Sequence, residues 1–129
     1  MKDRRRFVVQ WTETAKKGLA KLPPKVRRGL LEKADALTQG DTSNAKPLVG
    51  ALQGYYRIAY SRYRAIYTQI EERRPKGDSL ITIRFLFVAA GIRKEGDKRD
   101  IYNLALRLIR LGVLDDVRES SRDAPEEQA

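Results

Sequence analysis

The chain has 129 residues, 41% of them hydrophobic, so it is the size of one ordinary domain. No apolar run reaches the roughly 18 residues that a membrane-spanning helix needs. Lysine and arginine number 27 against 17 acids, and the net charge of +10 favours a polyanionic partner. The absence of cysteine and histidine excludes disulfides, thiolate metal sites and histidine-assisted nucleophiles. We therefore expect a cytoplasmic protein without metal or cofactor, whose chemistry uses Lys, Arg, Tyr or carboxylates.

The charge is unevenly distributed along the chain. Residues 113–129 contain six acids and two arginines, a net charge of −4, so residues 1–112 carry +14. This contrast predicts a single basic domain over 1–112 and an acidic, flexible tail over 113–129. The charged N-terminus has no apolar segment behind it, so we do not expect a secretory signal.

The N-terminal part predicts a strand followed by two helices. Residues 6–11 are β-branched and aromatic, which is typical of a strand. Thr12 is placed to cap a first helix that ends at Pro23 and Pro24. Apolar residues spaced four apart over 22–37 predict a second, amphipathic helix. The two helices form a hairpin, which the polar loop over 39–45 follows.

Beyond that loop the hydrophobic period changes to two. Segments 55–60 and 62–70 predict adjacent strands, and the apolar segment 80–90 predicts a central one. Between them, the acids at 71 and 72 lie in a charged turn and are expected to be solvated. A stripe over 101–111 predicts a last helix, ended by the glycine at 112.

This β-α-α-β-β-β-α order predicts an α+β fold. We expect an antiparallel sheet of about four strands, with the helical hairpin on one face and the C-terminal helix following the last strand. The face of the sheet that the hairpin does not cover would then present the outward-pointing side chains of the strands.

Cations beside aromatic residues are the candidate chemical groups. Arg57 and Arg64 fall on adjacent predicted strands, where they can share one face. Arg93 can reach the rim of the same sheet, and Tyr102 follows it in a basic junction leading into the last helix. Converging arginines repel one another unless an anion joins them. Most of the other tyrosines are expected to be packing residues of the sheet.

RNA is the anion that this residue set suits. Its 2′-hydroxyl can attack the adjacent phosphate, so the protein need not supply a nucleophile. A group must take the hydroxyl proton, and cations must stabilise the growing negative charge. A tyrosine among arginines can take the proton, because positive charge favours the phenolate. Arginine binds phosphate well but is a poor general base.

Five short motifs in series resemble those of the RelE/ParE toxin superfamily. They cover most of residues 7–111 in the family's order, at nearly the expected spacings. They are Asn44-Ala45-Lys46-Pro47-Leu48-Val49-Gly50, Tyr56-Arg57-Ile58, Tyr63-Arg64-Ala65-Ile66-Tyr67, Ala90-Gly91-Ile92-Arg93 and Ile101-Tyr102.

The resemblance implies a ribosome-dependent endoribonuclease that cuts messenger RNA in the decoding site and is neutralised by a cognate antitoxin. It implies that Arg64 stabilises the phosphate and that Arg93 lies near the leaving group. Tyr102 would be the general base, and Arg57 stands where RelE has a lysine. We predict these four residues as the catalytic set.

The chain also departs from the family's pattern. Ala59 stands where RelE has a second catalytic lysine, and the segment between Arg93 and Tyr102 is about three residues longer. Lys94 or Lys98 in that longer segment could supply the absent cation. Together with Lys46 and Arg62, they are the residues that we predict to bind the substrate.

Two alternatives remain open. One is a toxin of the ParE kind, which inhibits DNA gyrase without nuclease activity, although such chains usually lack the full arginine–tyrosine set. The other is a catalytically inactive relative that binds only RNA or its antitoxin, which the alanine at position 59 would favour. In every case a basic domain favours an acidic, amphipathic antitoxin segment that covers the cationic face or displaces the last helix.

Overall fold

The structure is a computed structural model that describes residues 4–73, 80–97 and 100–110. The predicted tail over 113–129 and the domain boundary at 112 lie outside the described residues. In chain order the elements are β1 (Arg4–Trp11), α1 (Glu13–Ala20), α2 (Pro24–Leu37), β2 (Lys46–Pro47), a 3-10 turn (Gly50–Leu52), β3 (Tyr55–Tyr60), β4 (Tyr63–Arg73), β5 (Leu80–Ile92) and α3 (Ile101–Arg110). The α+β class and the predicted order of the main elements are confirmed.

The sheet has five strands in the order β1-β5-β4-β3-β2. Strands β2 to β5 pair antiparallel, whereas β1 pairs parallel with β5. This corrects the expected antiparallel sheet of about four strands in two respects: the sheet is mixed, and it gains the short strand β2. The helical hairpin carries the chain from β1 to the far edge of the sheet, and the strands then return to β5. A parallel pair needs such a crossover.

Capping and close contacts fix the helical hairpin on the sheet. The Thr12 hydroxyl accepts a hydrogen bond from the Ala15 backbone N–H at 3.1 Å, as expected of an N-cap. Helix α1 packs on β5 through Gly18, where a Cβ atom would overlap the carbonyl oxygen of Ala90. Proline is tolerated in a first turn, and Pro24 begins α2.

The two faces of the sheet carry separate apolar clusters. The hairpin-facing cluster includes Leu30, Ile58, Tyr67 and Phe87, all at most 1% exposed. The opposite cluster joins the sheet to α3, and its buried members are Leu52, Tyr55, Ile66, Ile70, Leu86, Val88, Ala89, Ile101 and Ala105. Full burial of a Leu, Ile, Val or Phe side chain stabilises the fold by about 1.5–3 kcal/mol. We call the second face the α3 face.

Strand β5 contains one buried cation. Arg84 donates from Nε to Glu72 Oε1 and from Nη1 to Gln10 Oε1, both at 2.9 Å. The side chains of Arg84 and Glu72 are 9% and 29% exposed. Glu72 is therefore the partner of a buried arginine rather than the solvated turn residue expected from the sequence. None of the helices in the described ranges is long and apolar enough to cross a membrane.

Candidate active site

The β3–β4 hairpin places Arg57 and Arg64 on the α3 face. Arg57 lies opposite Ile66, and Ala59 lies opposite Arg64. Directly opposed residues share a face, and alternate residues of one strand do so too. Because Ile66 belongs to the α3-face cluster, both arginines lie on that face, and both are partly exposed.

Strand β2 adds a third cation to the same face. Lys46 lies directly opposite Arg57 and is exposed. Like charges in opposed positions of a sheet destabilise it. Within the described part of the chain, neither side chain has an acidic partner. The edge formed by β2 and β3 therefore presents an unneutralised pair of positive charges.

Arg64 is the second residue of β4, directly after the turn that follows β3. Its Nη1 donates to the carbonyl oxygens of Ser61 at 2.7 Å and Tyr63 at 3.0 Å. Its Nε is buried without a hydrogen-bond partner among the described residues. These contacts fix the guanidinium close to the turn between β3 and β4.

The start of α3 lies beside Arg64. Gly91 of β5 lies opposite Arg64, and a Cβ atom at Gly91 would come within 3.2 Å of Ile101 Cδ1. The first turn of α3, which contains Tyr102, therefore packs next to the cationic part of the sheet. Tyr102 is half-buried against the α3-face cluster.

Arg93 and Tyr102 are in direct contact. The guanidinium carbon of Arg93 lies 4.4 Å from the centre of the Tyr102 ring, which is a cation–π arrangement. Arg93 Nη1 donates to Asp100 Oδ2 at 2.6 Å, and Nη2 donates to Glu95 Oε1 at 3.2 Å. The hydrogen bond to Asp100 is the largest cause that raises the pKa of Arg93 above its ordinary value. Arg93 is therefore charged, oriented and partly neutralised.

Asp100 organises this corner, and the sequence analysis missed it. The residue is 1% exposed and precedes the first residue of α3, where an aspartate caps a helix well. Its carboxylate accepts from the backbone N–H groups of Lys94 at 2.5 Å and Tyr102 at 3.2 Å, besides Arg93. An Asp directly before an apolar helical stripe was the available signal.

The remaining predicted cations have other positions. Arg62 is exposed in the β3–β4 turn, and its carbonyl oxygen accepts from the Arg93 backbone N–H at 2.6 Å. The Lys94 Nζ lies 3.4 Å from Asp97 Oδ2 in a partly exposed ion pair. Lys98 lies outside the described residues. Lys33 of α2 is another cation near Ala59, because its Nζ donates to the Ala59 carbonyl oxygen at 2.5 Å.

Comparison with known proteins finds similar solved structures, which identify the fold. No protein-family model and no curated protein matches the sequence. Among solved structures, a chain of the toxin–antitoxin complex RelBE2 from Mycobacterium tuberculosis is similar, with 24% identity and a TM-score of 0.50, over 68% of this chain and 99% of its own. The chain has the RelE/ParE toxin fold. The YoeB/ParE toxin from Agrobacterium tumefaciens is 15% identical, with a TM-score of 0.43, over 67% of this chain and 99% of its own.

In chemical terms, this corner of the fold combines several cations with a phenol. The structure brings Lys46, Arg57 and Arg64 to one face and joins that face to the Arg93–Tyr102 pair through Gly91 and Ile101. Among the described residues, no three His, Cys, Asp or Glu side chains converge as a metal site would require. The arrangement can bind a polyanion and present a hydroxyl group to it.

Proposed function

We propose that this chain is a RelE-type toxin of a toxin–antitoxin system, a metal-independent endoribonuclease that cuts messenger RNA in the ribosomal decoding site. The observation that carries the proposal is the contact between Arg93 and Tyr102 beside the shared face of Arg57 and Arg64. The RelE/ParE toxin fold supports it. The fold alone does not distinguish a nuclease from a gyrase inhibitor, so the site carries the argument.

The reaction is a transesterification within the RNA. The 2′-oxygen bonds to the adjacent phosphorus while the bond from phosphorus to the 5′-oxygen of the next nucleotide breaks. Tyr102 in its phenolate form takes the 2′ proton, and the leaving 5′-oxygen receives a proton from solvent water. The products are a 2′,3′-cyclic phosphate and a 5′-hydroxyl. The arginines stabilise the additional negative charge on the phosphate oxygens.

Arg93 can assist both the proton transfer to Tyr102 and the binding of the phosphate. Its positive charge lies against the Tyr102 ring and favours the phenolate form that accepts the 2′ proton. Glu95, whose side chain is 89% exposed, is the weaker of its two acidic partners, whereas Asp100 is buried. An RNA phosphate can replace Glu95 on Nη2 without disturbing the bond to Asp100. Arg93 then contacts phosphate through one nitrogen and keeps its position through the other.

A second candidate is an inactive relative that only binds RNA or its partner. Ala59 contributes no charge opposite Arg64, and Arg64 Nη1 is already occupied by two carbonyl oxygens. These features would lower the rate of cleavage if no other cation compensates. This candidate differs from the first only in turnover, so a cleavage measurement separates them.

An antitoxin is the protein partner that we propose. The unneutralised pair of Lys46 and Arg57 and the partly exposed arginines favour an acidic segment laid across the α3 face. Such a segment would compete with RNA for the same cations. The cytoplasm, where messenger RNA is translated, is the corresponding location.

The test is primer extension on messages translated in a purified system, with a gyrase supercoiling assay run in parallel. We expect wild-type protein to create new 5′ ends at codons in the decoding site and to leave supercoiling unchanged. Growth arrest with inhibited supercoiling and intact messages would instead identify the ParE type of toxin. Binding of the message without any new end would identify the inactive relative.

A further inference from the structure

A groove runs along the β2–β3 edge beside the pair of Lys46 and Arg57. It has a volume of about 560 Å³, within the range of small-ligand sites, and follows the segment that joins the two strands. Leu48 and Tyr55 contribute to its lining and belong to the α3-face cluster, on the face that carries Lys46 and Arg57. The cations therefore stand at one end of the groove, two residues or about 6.6 Å further along the chain from Leu48 and Tyr55.

The lining combines apolar surface with groups able to form hydrogen bonds. Val49 is 84% exposed, which leaves a β-branched apolar side chain uncovered at the groove. Gln53 is exposed and offers both an amide donor and an acceptor. Gly50 and Gly54 have φ angles of 65° and 95°, and a Cβ atom at either would meet no other atom within 4 Å. The backbone at these glycines is thus open to close approach.

We propose that this groove binds one unpaired base of an RNA strand whose phosphate is held by Lys46 and Arg57. A base offers a flat apolar face to Val49 and Leu48 and polar edges to Gln53. Single-stranded nucleic acid is held in this general way, by cations along the backbone and contact surfaces for the bases. The adjacent pair of like charges favours a nucleotide over an uncharged apolar ligand.

The inference rests on the proposed function, because it assumes that RNA lies on the α3 face. It adds a specificity site outside the four predicted catalytic residues. Since the phosphate contacts are the same for every sequence, the groove would decide which nucleotide is preferred at one position near the cut.

The experiment uses a short 2′-O-methyl RNA, which has no hydroxyl to attack, and the same strand with single abasic positions. Amide resonances of the isotope-labelled full chain are followed by NMR during titration. We expect both strands to shift Lys46 and Arg57. Only the strand with a base at the relevant position should shift Gly50, Gln53 and Gly54, and it should bind about fivefold tighter or more.

Alanine variants test whether the tighter binding of the intact strand arises in the groove. Val49→Ala and Gln53→Ala should weaken binding of the intact strand and leave that of the abasic strand unchanged. Leu31→Ala and Gln69→Ala, which also truncate exposed residues of similar chemistry, should change neither affinity.

The outcomes separate the inference from the proposed function. If Lys46 and Arg57 shift while the groove amides respond to neither strand, or to both equally, the groove does not bind a base and only the inference fails. If no resonance on the α3 face responds to either strand, the proposed RNA binding fails as well. A groove that responds to an acidic peptide but not to RNA would be a protein-docking site, which also overturns the inference.

Discussion

Arg93 and Tyr102 are both held by one buried carboxylate, that of Asp100. Oδ2 accepts from Arg93 Nη1 at 2.6 Å and from the Tyr102 backbone N–H at 3.2 Å. The cation and the phenol are nine residues apart in the chain, and they are brought together because the end of β5 and the start of α3 bind the same group. The geometry of the candidate site thus depends on a residue that would not itself touch RNA.

Replacement of Asp100 separates its capping role from its charge. Asp100→Asn keeps a good N-cap and should fold nearly as stably, but it removes the charge that orients Arg93. We expect its kcat for RNA cleavage to fall at least about tenfold with a smaller change in KM. Asp100→Ala should also lose about 1–3 kcal/mol in the free energy of unfolding.

Chemical denaturation and steady-state cleavage measure the two effects. Asp35→Asn, an exposed change on α2, is the control for the loss of one negative charge. Equal kcat for Asp100→Asn and Asp35→Asn would show that Arg93 needs no help from Asp100.

The pair of Lys46 and Arg57 should determine the salt dependence of RNA binding. Removal of one phosphate contact to a single strand lowers the slope of log affinity against log salt by about 0.7. We expect Lys46→Ala and Arg57→Ala each to cause about this change, measured by fluorescence anisotropy with a 2′-O-methyl RNA. Arg28→Ala, an exposed change on the helical hairpin, should leave the slope as it is. Slopes that stay at the wild-type value in all three variants would remove this edge from the RNA-binding surface.

Glu72 should matter for stability and Glu71 should not. Glu72→Ala leaves Arg84 buried without its charged partner, which costs about 3–5 kcal/mol in fully buried pairs and somewhat less here because Glu72 is partly exposed. Glu71 pairs with Arg73 at the surface, where such pairs contribute about 0–1 kcal/mol. Urea unfolding of both alanine variants gives the comparison. Similar losses for the two would contradict the buried network.

Tyr67 should ionise later than an ordinary tyrosine. Burial raises its pKa from 10.0 to about 12, with a smaller contribution from Tyr56. The unfolded chain loses this proton near pH 10 and the folded chain only near 12, so the stability due to the neutral buried phenol is present below pH 10 and declines between these values. Phenolate absorbance should show a late step that disappears in Tyr67→Phe and persists in Tyr60→Phe. A late step in Tyr67→Phe would contradict the assignment.

Much of the fold could be predicted from local patterns, because the helical hairpin and the three long strands each have clear periodicity. Strand β2 has only two residues and therefore no period to detect. The parallel pairing of β1 with β5 depends on which strands become neighbours, and the pattern within β1 carries no information on that. The order and direction of the strands depend on which strands become neighbours, whereas the local patterns predicted only the individual helices and longer strands.

In the candidate site, too, local features could be predicted and contacts between separate elements could not. Alternation along β3 and β4 allowed Arg57 and Arg64 to share a face, and the register of the hairpin places both there. The capping position of Asp100 could have been predicted, but its bond to Arg93 joins two residues seven apart that no periodic pattern relates. Glu72 was misjudged because its partner Arg84 lies on the next strand, and only the register brings the two together.

The central claim, that Tyr102 is the general base of an RNA-cleaving site, is tested most directly by single-turnover cleavage of a message in programmed ribosomes. Tyr102→Phe keeps the ring against Arg93 and removes only the hydroxyl, and Tyr63→Phe makes the same change on the other face of the sheet. We predict that Tyr102→Phe slows cleavage by about 10²–10⁴-fold, whereas Tyr63→Phe cleaves as the wild type does. Cleavage by Tyr102→Phe at the wild-type rate would contradict the assignment.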